Sequence, residues 1–270
     1  ATALDVSEAQ LDDLFALASS VSPGAKPAAV APPVESAVAE PAVAAAAGDY
    51  RCILEQGQVD AGREKLNNAE LIAFDTETTG LDAQQAQLVG LSFAIKAGEA
   101  VYIPVAHSYM GVPTQLDRDA VLRALKPILQ DPKKAKVGQH AKYDINILAN
   151  ASTPIHVQGV KFDTMLESYV LDSIATRHNM DSLALKYLDH STIRFEDIAG
   201  KGAKQLTFDQ IDLAQAAPYA AEDADITLRL HQHLWAKLQA EPSLAEVLCD
   251  IEMPLVPVLA RIERQGALVD

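Results

Sequence analysis

The chain has 270 residues, 49% of them hydrophobic, which is enough for one large core or two smaller ones. Its formal charge of −15 argues against a general polyanion binder, and it has neither an apolar run of roughly 18 residues to span a membrane nor the basic-then-apolar start of a secretory leader. Cys52 and Cys249 are far apart and lack partners at metal-ligand spacing, so both read as reduced structural thiols. A soluble, cytosolic, monomeric protein is the expectation, and Ala1 in place of Met suggests a processed or excised piece.

In chain order, Ser7 and Gln10 suit a capping box, Val6 and Leu11 a staple, and Leu11, Leu14, Phe15 and Ala18 an apolar stripe. These predict a short amphipathic helix, either docking on an upstream domain or forming transiently in a tail. Residues 21–48 are largely Ala, Pro and Val, cannot bury enough surface to offset their ordering entropy, and read as a disordered, semi-stiff linker. The folded unit is expected to begin near Tyr50, with a helix at Asp60–Asn68, a strand at Leu71–Thr78, and antiparallel strands at Gln87–Ile95 and Ala100–Val105 about the Ala97-Gly98 turn. Helices are then expected at Arg118–Leu129, Ala141–Ala149, Thr164–Leu171, Ser182–Leu188, Phe208–Leu213 and Tyr219–Leu238, with a short strand at Lys136–Gly138. Pro254, Pro257 and Gly266 punctuate a last helix, and 267–270 begins an extended segment. This order predicts an α/β fold whose sheet is covered by helices.

The strand Leu71-Ile72-Ala73-Phe74-Asp75-Thr76-Glu77-Thr78 holds two carboxylates two residues apart. Strand side chains alternate faces at about 3.3 Å per residue, so Asp75 and Glu77 project from one face about 7 Å apart and can grip one hard cation. Ile72 and Phe74 face the opposite, apolar layer. On Asp-x-Glu alone, two solvated acids at a strand end is the commoner reading.

Tyr219 and Asp223, placed after a Pro218 expected to start the helix, share a helix face at a four-residue spacing, whereas Glu222 and Asp225 point elsewhere. By itself such a pair is usually a half-buried surface pair. Lys142-Tyr143-Asp144 follows the Gly138-Gln139 turn at a helix start, where an acid is also favoured by the helix dipole. Together Asp75, Glu77, Asp144 and Asp223 offer carboxylate oxygens suited to magnesium or manganese, with no His or Cys cluster to favour a softer metal. Two such ions can activate a water and stabilise a leaving oxygen at a phosphodiester, which is nuclease chemistry. Residues 118–204 carry a net +3 between stretches of −11 and −7, which could guide a phosphate backbone to that site or be an ordinary fluctuation.

The same residues resemble the proofreading 3′→5′ exonuclease domain of bacterial DNA polymerase I, in the tyrosine branch of the DEDD superfamily. The resemblance is carried by Phe74-Asp75-Thr76-Glu77-Thr78, by Leu88–Phe93 with Tyr102–His107, by Val137–Asp144 and by Tyr219–Asp225, with support from Phe162–Tyr169 and Ile198–Gly202. It covers about residues 50–270 and implies a ribonuclease H-like mixed sheet flanked by helices. It also implies two divalent ions, Mg²⁺ or Mn²⁺: the first on Asp75, Glu77 and Asp223, the second on Asp75 and Asp144, with Tyr219 orienting the attacking water. Leu81 and Phe195 would wedge and stack on terminal bases, while Gln139, His140, Lys142, Tyr143 and Arg177 would contact a single-stranded DNA 3′ end. Relatives commonly have Asn where this chain has His140. The implied layout is an interdomain linker at 1–48, an exonuclease domain at 49–240 and the start of a polymerase domain at 241–270. A 5′ nuclease domain would precede the linker. An RNA-trimming exonuclease of the same superfamily and a non-catalytic scaffold are the alternatives.

Overall fold

Ile72, Ala73 and Phe74 are buried in succession, which a strand permits only where both faces of its sheet are covered. The computed structural model describes residues 48–266 apart from Ala175, so the expected helix at 7–19, nearly all of the linker and the segment at 267–270 lie outside the described residues. The described chain runs β1 (Asp49–Cys52), α1 (Gln56–Asn68), β2 (Leu71–Thr78), β3 (Leu88–Lys96), β4 (Glu99–Pro104), α2 (Arg118–Leu129), β5 (Ala135–Gly138) and α3 (Lys142–Asn150). It continues with β6 (Val160–Asp163), α4 (Thr164–Leu171), α5 (Met180–Leu188), α6 (Phe195–Ala199), 3-10 turns at Gly202–Lys204 and Phe208–Gln210, α7 (Leu213–Gln239), α8 (Pro242–Glu246), a π turn at Val247–Glu252 and α9 (Met253–Gln265).

The strands form one six-stranded sheet in the order β1-β4-β3-β2-β5-β6. β2, β3 and β4 pair antiparallel, whereas β1 runs parallel to β4, and β5 and β6 continue parallel from β2. This is the expected mixed sheet flanked by helices.

The two faces of β2 do different work. Ile72 and Phe74 join the larger core with α1, α2 and Ile147 and Leu148 of α3. Ala73, on the face of Asp75 and Glu77, packs instead against Ala221, Ala224 and Leu228 of α7. Fully buried Ala216, Ala220, Ala221 and Ala224 let this 27-residue helix lie close to the sheet. The close approach brings the side chains of α7 to the end of β2.

Several expectations require correction. The helix expected at Phe208–Leu213 is a 3-10 turn, closed by a reciprocal Thr207–Gln210 capping box; Asp212 then caps a new helix by accepting from Ala214 N at 2.8 Å. Pro218 consequently lies inside α7, not at its start. Lacking an N–H, it leaves the Ala214 carbonyl without its helical donor, which is tolerated one turn into a capped helix. α1 begins at Gln56, four residues before the expected Asp60, because Glu55 and Gln58 close a capping box. Strands β1 and β6 and helices α6 and α8 are additional: the strands are the two edges of the sheet and have no apolar run, and each helix is only five residues long, too short to show a period.

One local device shapes the start of β5. Lys136 is fully buried, and its Nζ donates to the carbonyls of Asp131, Lys134 and Gln158 at 3.0, 2.9 and 2.8 Å. Burial pushes its ammonium down to about 8, and the three acceptors offset that cost. Gly159 closes the cage at φ +73°, where an added Cβ would sit 2.3 Å from the Lys134 oxygen.

Candidate active site

Asp75 and Glu77 leave β2 on the α7 face, and Asp223 comes to meet them from α7. One carboxylate oxygen from each of the three lies within 4.8 Å of the others. The neighbouring strand makes the room: Ser92 and Gly90 of β3 stand opposite Asp75 and Glu77. A Cβ at Gly90 would lie 2.1 Å from the Tyr102 hydroxyl, so only glycine admits that ring beneath the site.

Asp144 arrives from the opposite face on α3. Its Oδ1 accepts from Thr76 N at 3.0 Å and from Thr76 Oγ1 at 2.5 Å, fastening the helix to β2 between the other two acids. Asp144 is outside the three-carboxylate group, yet the Asp75 charge acts on it.

Burial is the first cause raising all four carboxyl pKa values: Asp75 to about 6, and Glu77, Asp144 and Asp223 well above the usual range. Mutual repulsion follows, with Asp75 bearing on each of the other three. Among the described residues no ion pair engages any of the four. Glu77 Oε1 is buried without a hydrogen-bond partner. Like-charged oxygens converging with one left unsatisfied are what a hard divalent cation would complete, so the donor set fits such an ion.

Tyr219 stands one turn before Asp223 on α7. The Asp223 charge, then burial, holds its phenol well above the usual range, so it stays protonated. Its ring packs 6.2 Å from Phe195 and 5.8 Å from Phe208, centroid to centroid. Phe195 is thus half-buried beside the site, whereas Leu81 is 96% exposed at the end of the β2 loop.

The other expected contacts surround the start of α3. Tyr143 Oη donates to the Gly80 carbonyl and lies 2.5 Å from Thr78 Oγ1, tying α3 to the Leu81 loop. Gln139 Nε2 donates to the His178 carbonyl at 2.9 Å, and Thr164 Oγ1 donates to its Oε1. Its amide therefore braces the loop of the exposed Arg177. His140 is exposed at φ 59°. Asn and His both enter this left-handed region more readily than most residues, which accounts for a His here. Lys142 pairs with Glu263 of α9 at 2.5 Å.

Three residues inside the quoted motifs carry supporting roles that the motifs did not assign. Thr76 looks like an ordinary strand residue until Asp144 is folded against it. Asp163 is buried and accepts from His140 N, Ala141 N and Met165 N at 3.1, 2.8 and 3.0 Å, pinning the turn before α3 while capping α4; Asp163-Thr164 before a helix was its available signal. Glu222, directed away from the site as expected, accepts from Ile193 N at 2.6 Å and lies 2.9 Å from His190 Nε2, anchoring the approach to Phe195. Asp225 likewise points away and accepts from Tyr50 Oη and Gly98 N at 2.8 and 2.6 Å.

A family model described as 3'-5' exonuclease matches residues 50–239. Among curated relatives, a DNA polymerase I of Pseudomonas aeruginosa is 79% identical over 222 residues, which is 82% of this chain and 24% of that protein. The chain therefore spans about a quarter of that relative's length. Among solved structures, the "POL domain of Pol1 from M. smegmatis" in complex with DNA primer-template and dNTP matches at TM-score 0.62 and 23% identity, covering 81% of this chain and 33% of that one. Escherichia coli RNase D matches at TM-score 0.57 and 18% identity, covering 82% and 52%. At these identities the likeness is one of fold, the ribonuclease H-like fold of such exonucleases. With three carboxylates gathered at the end of β2 and the matched family spanning all the strands but the first residue of β1, this chain belongs to the 3′-5′ exonuclease domain family of the DNA polymerase I type.

Proposed function

We propose that the chain hydrolyses the terminal phosphodiester at the 3′ end of single-stranded DNA, releasing nucleoside 5′-monophosphates, as the proofreading part of a longer polymerase. The observation that carries this is the convergence of Asp75, Glu77 and Asp223 within 4.8 Å around an unpartnered Glu77 oxygen. Asp75, Glu77 and Asp223 would hold one Mg²⁺ or Mn²⁺, and Asp75 with Asp144 a second. When bound, such ions polarise the phosphate and make water a better nucleophile.

The protein's own side chains do the rest. Tyr219, kept protonated beside Asp223, can hold a water by hydrogen bonding. Phe195 offers a face for a base and Leu81 an exposed wedge, a mode of binding that tolerates any sequence. Lys142 supplies a cation for a phosphate, with Gln139, His140, Tyr143 and Arg177 framing the strand. The water oxygen forms the new bond to phosphorus, and the 3′ oxygen of the preceding nucleotide leaves and gains a proton.

In this reading residues 49–240 are the exonuclease domain, 1–48 a linker from a 5′ nuclease domain, and 241–270 the entry to a polymerase domain, all acting as a monomer in the bacterial cytoplasm. No helix among the described residues is long and apolar enough to cross a membrane. The test is magnesium-dependent digestion of single strands labelled so that each released nucleotide is counted, deoxyribo against ribo, with Asp223→Ala as control. Stepwise loss from the 3′ end of DNA that vanishes in the variant supports the proposal. A preference for RNA would move the assignment to an RNA-trimming enzyme, and activity retained in the variant would refute the site.

A further inference from the structure

The last turn of helix α9 reaches the start of α3 beside the active site. Glu263, in its last turn, places Oε1 2.5 Å from Lys142 Nζ and Oε2 3.3 Å from Asn146 Nδ2. Its backbone carbonyl accepts from Gln84 Nε2 at 3.1 Å. Lys142 and Asn146 flank Asp144 on α3, and Gln84 lies three residues beyond Leu81. Arg264 Nη1 donates to Asn146 Oδ1 at 2.8 Å, so the Asn146 amide is held at both ends. The Glu263 carboxylate is therefore kept in place whether or not Lys142 remains on it.

We propose that Glu263 competes with a substrate phosphate for Lys142 and so sets how tightly the exonuclease site holds a single strand. The inference rests on the reading of Lys142 as a strand contact. In the ion pair Lys142 is 24% exposed and Glu263 48%, so the bond is accessible to solvent, weak and readily exchanged. A strand entering beside α3 must take Lys142 from Glu263 and then lie next to a fixed negative charge. Both effects weaken binding, and both fade as salt screens them. Glu263 acts through Lys142 and touches none of the reacting atoms, which makes it a positioning residue that limits affinity.

The experiment measures anisotropy of a 5′-fluorescein single-stranded DNA on the full chain in EDTA, where no hydrolysis intervenes, at about 50 and about 200 mM salt. Turnover in Mg²⁺ is measured alongside. Glu263→Gln is expected to tighten binding about three- to tenfold at the lower salt and to steepen the log–log salt dependence by about one. It should lower KM and leave kcat unchanged. In a Lys142→Ala background the same substitution should tighten binding clearly less, because only the repulsion by the fixed charge remains to be removed. Glu263→Ala serves as the second variant, with thermal unfolding to show that both are folded. Weaker or unchanged binding in Glu263→Gln, a fall in kcat, or equal tightening in the Lys142→Ala background would overturn the proposal. Tightening through Lys142 in a chain that digests nothing in Mg²⁺ would uphold this role and sink the exonuclease reading; brisk digestion with affinity indifferent to Glu263 would do the reverse.

Discussion

Thr76 and Asp144, 68 positions apart, are joined twice: the Thr76 N–H and hydroxyl both reach Asp144 Oδ1, at 3.0 and 2.5 Å. One bond comes from the strand backbone and survives mutation; the other does not. Thr76→Val keeps the shape and removes the hydroxyl bond to a buried carboxyl, worth about 1.5–3 kcal/mol when the acceptor is charged. The expected outcome is a roughly tenfold fall in kcat, a higher Mg²⁺ concentration at half-maximal activity, and a melting temperature lower by a few degrees. Unaltered magnesium dependence would show that Asp144 needs no such anchor.

Asp75→Ala and Asp223→Ala should each lower hydrolysis by on the order of a thousandfold or more, since each removes a carboxylate from the group that would bind metal. Because the acids repel one another and no cation among the described residues pairs with them, the metal-free variants should melt at or above the wild-type temperature. Circular dichroism melts in EDTA beside a digestion assay separate loss of chemistry from loss of fold. Near-wild-type digestion in either variant would remove these residues from the mechanism.

The same burial makes metal-free stability depend on pH. Folded Asp75 keeps its proton to about pH 6, whereas the ordinary value is 3.8, so between these the folded state binds more protons than the unfolded one. Stability must then fall as pH rises through that window, and Glu77, Asp144 and Asp223 are shifted in the same direction. His231, which burial holds down to about 4, contributes in the opposite direction, so the check is the difference between the wild type and Asp75→Ala. In EDTA the wild type should lose melting temperature relative to the variant between pH 4.5 and 7, and saturating Mg²⁺ should flatten the wild-type loss by binding the deprotonated acids. A difference that does not change with pH would contradict the raised Asp75 carboxyl.

Tyr219→Phe keeps the ring against Phe195 and Phe208 and removes one hydroxyl. About a tenfold loss of kcat with an unchanged melting temperature is expected, matching one hydrogen bond of about 1–1.5 kcal/mol. Full activity would mean that the water is held by other groups.

At the start of β5, Lys136→Met would leave the three carbonyls of its cage without their donor, and Gly159→Ala would drive a Cβ into the Lys134 oxygen. Each should cost about 2–4 kcal/mol of stability, read as an earlier urea midpoint, with the exonuclease rate per folded molecule unchanged. A fall in that rate would show that the Lys136 cage is coupled to the active site.

Local chemistry determined much in advance. The alternation of β2 placed Asp75 and Glu77 on one face, the four-residue spacing placed Tyr219 above Asp223, and the strand and helix periods marked β2 to β4 and the long helices, because each signal lies within a few consecutive residues. Tertiary structure decided what depends on distant partners: that the alanine face of α7 closes on the acidic face of β2, that Thr76 holds Asp144, that Asp163 and Glu222 brace the neighbouring loops, and that Glu263 occupies Lys142. It also decided that the acids become buried or half-buried neighbours with raised pKa values, a property of the low-dielectric space between elements that no single segment possesses. β1 and β6 were illegible for the same reason, since they are the two edge strands, partly exposed and without an apolar run, and form only because a neighbouring edge supplies their hydrogen bonds.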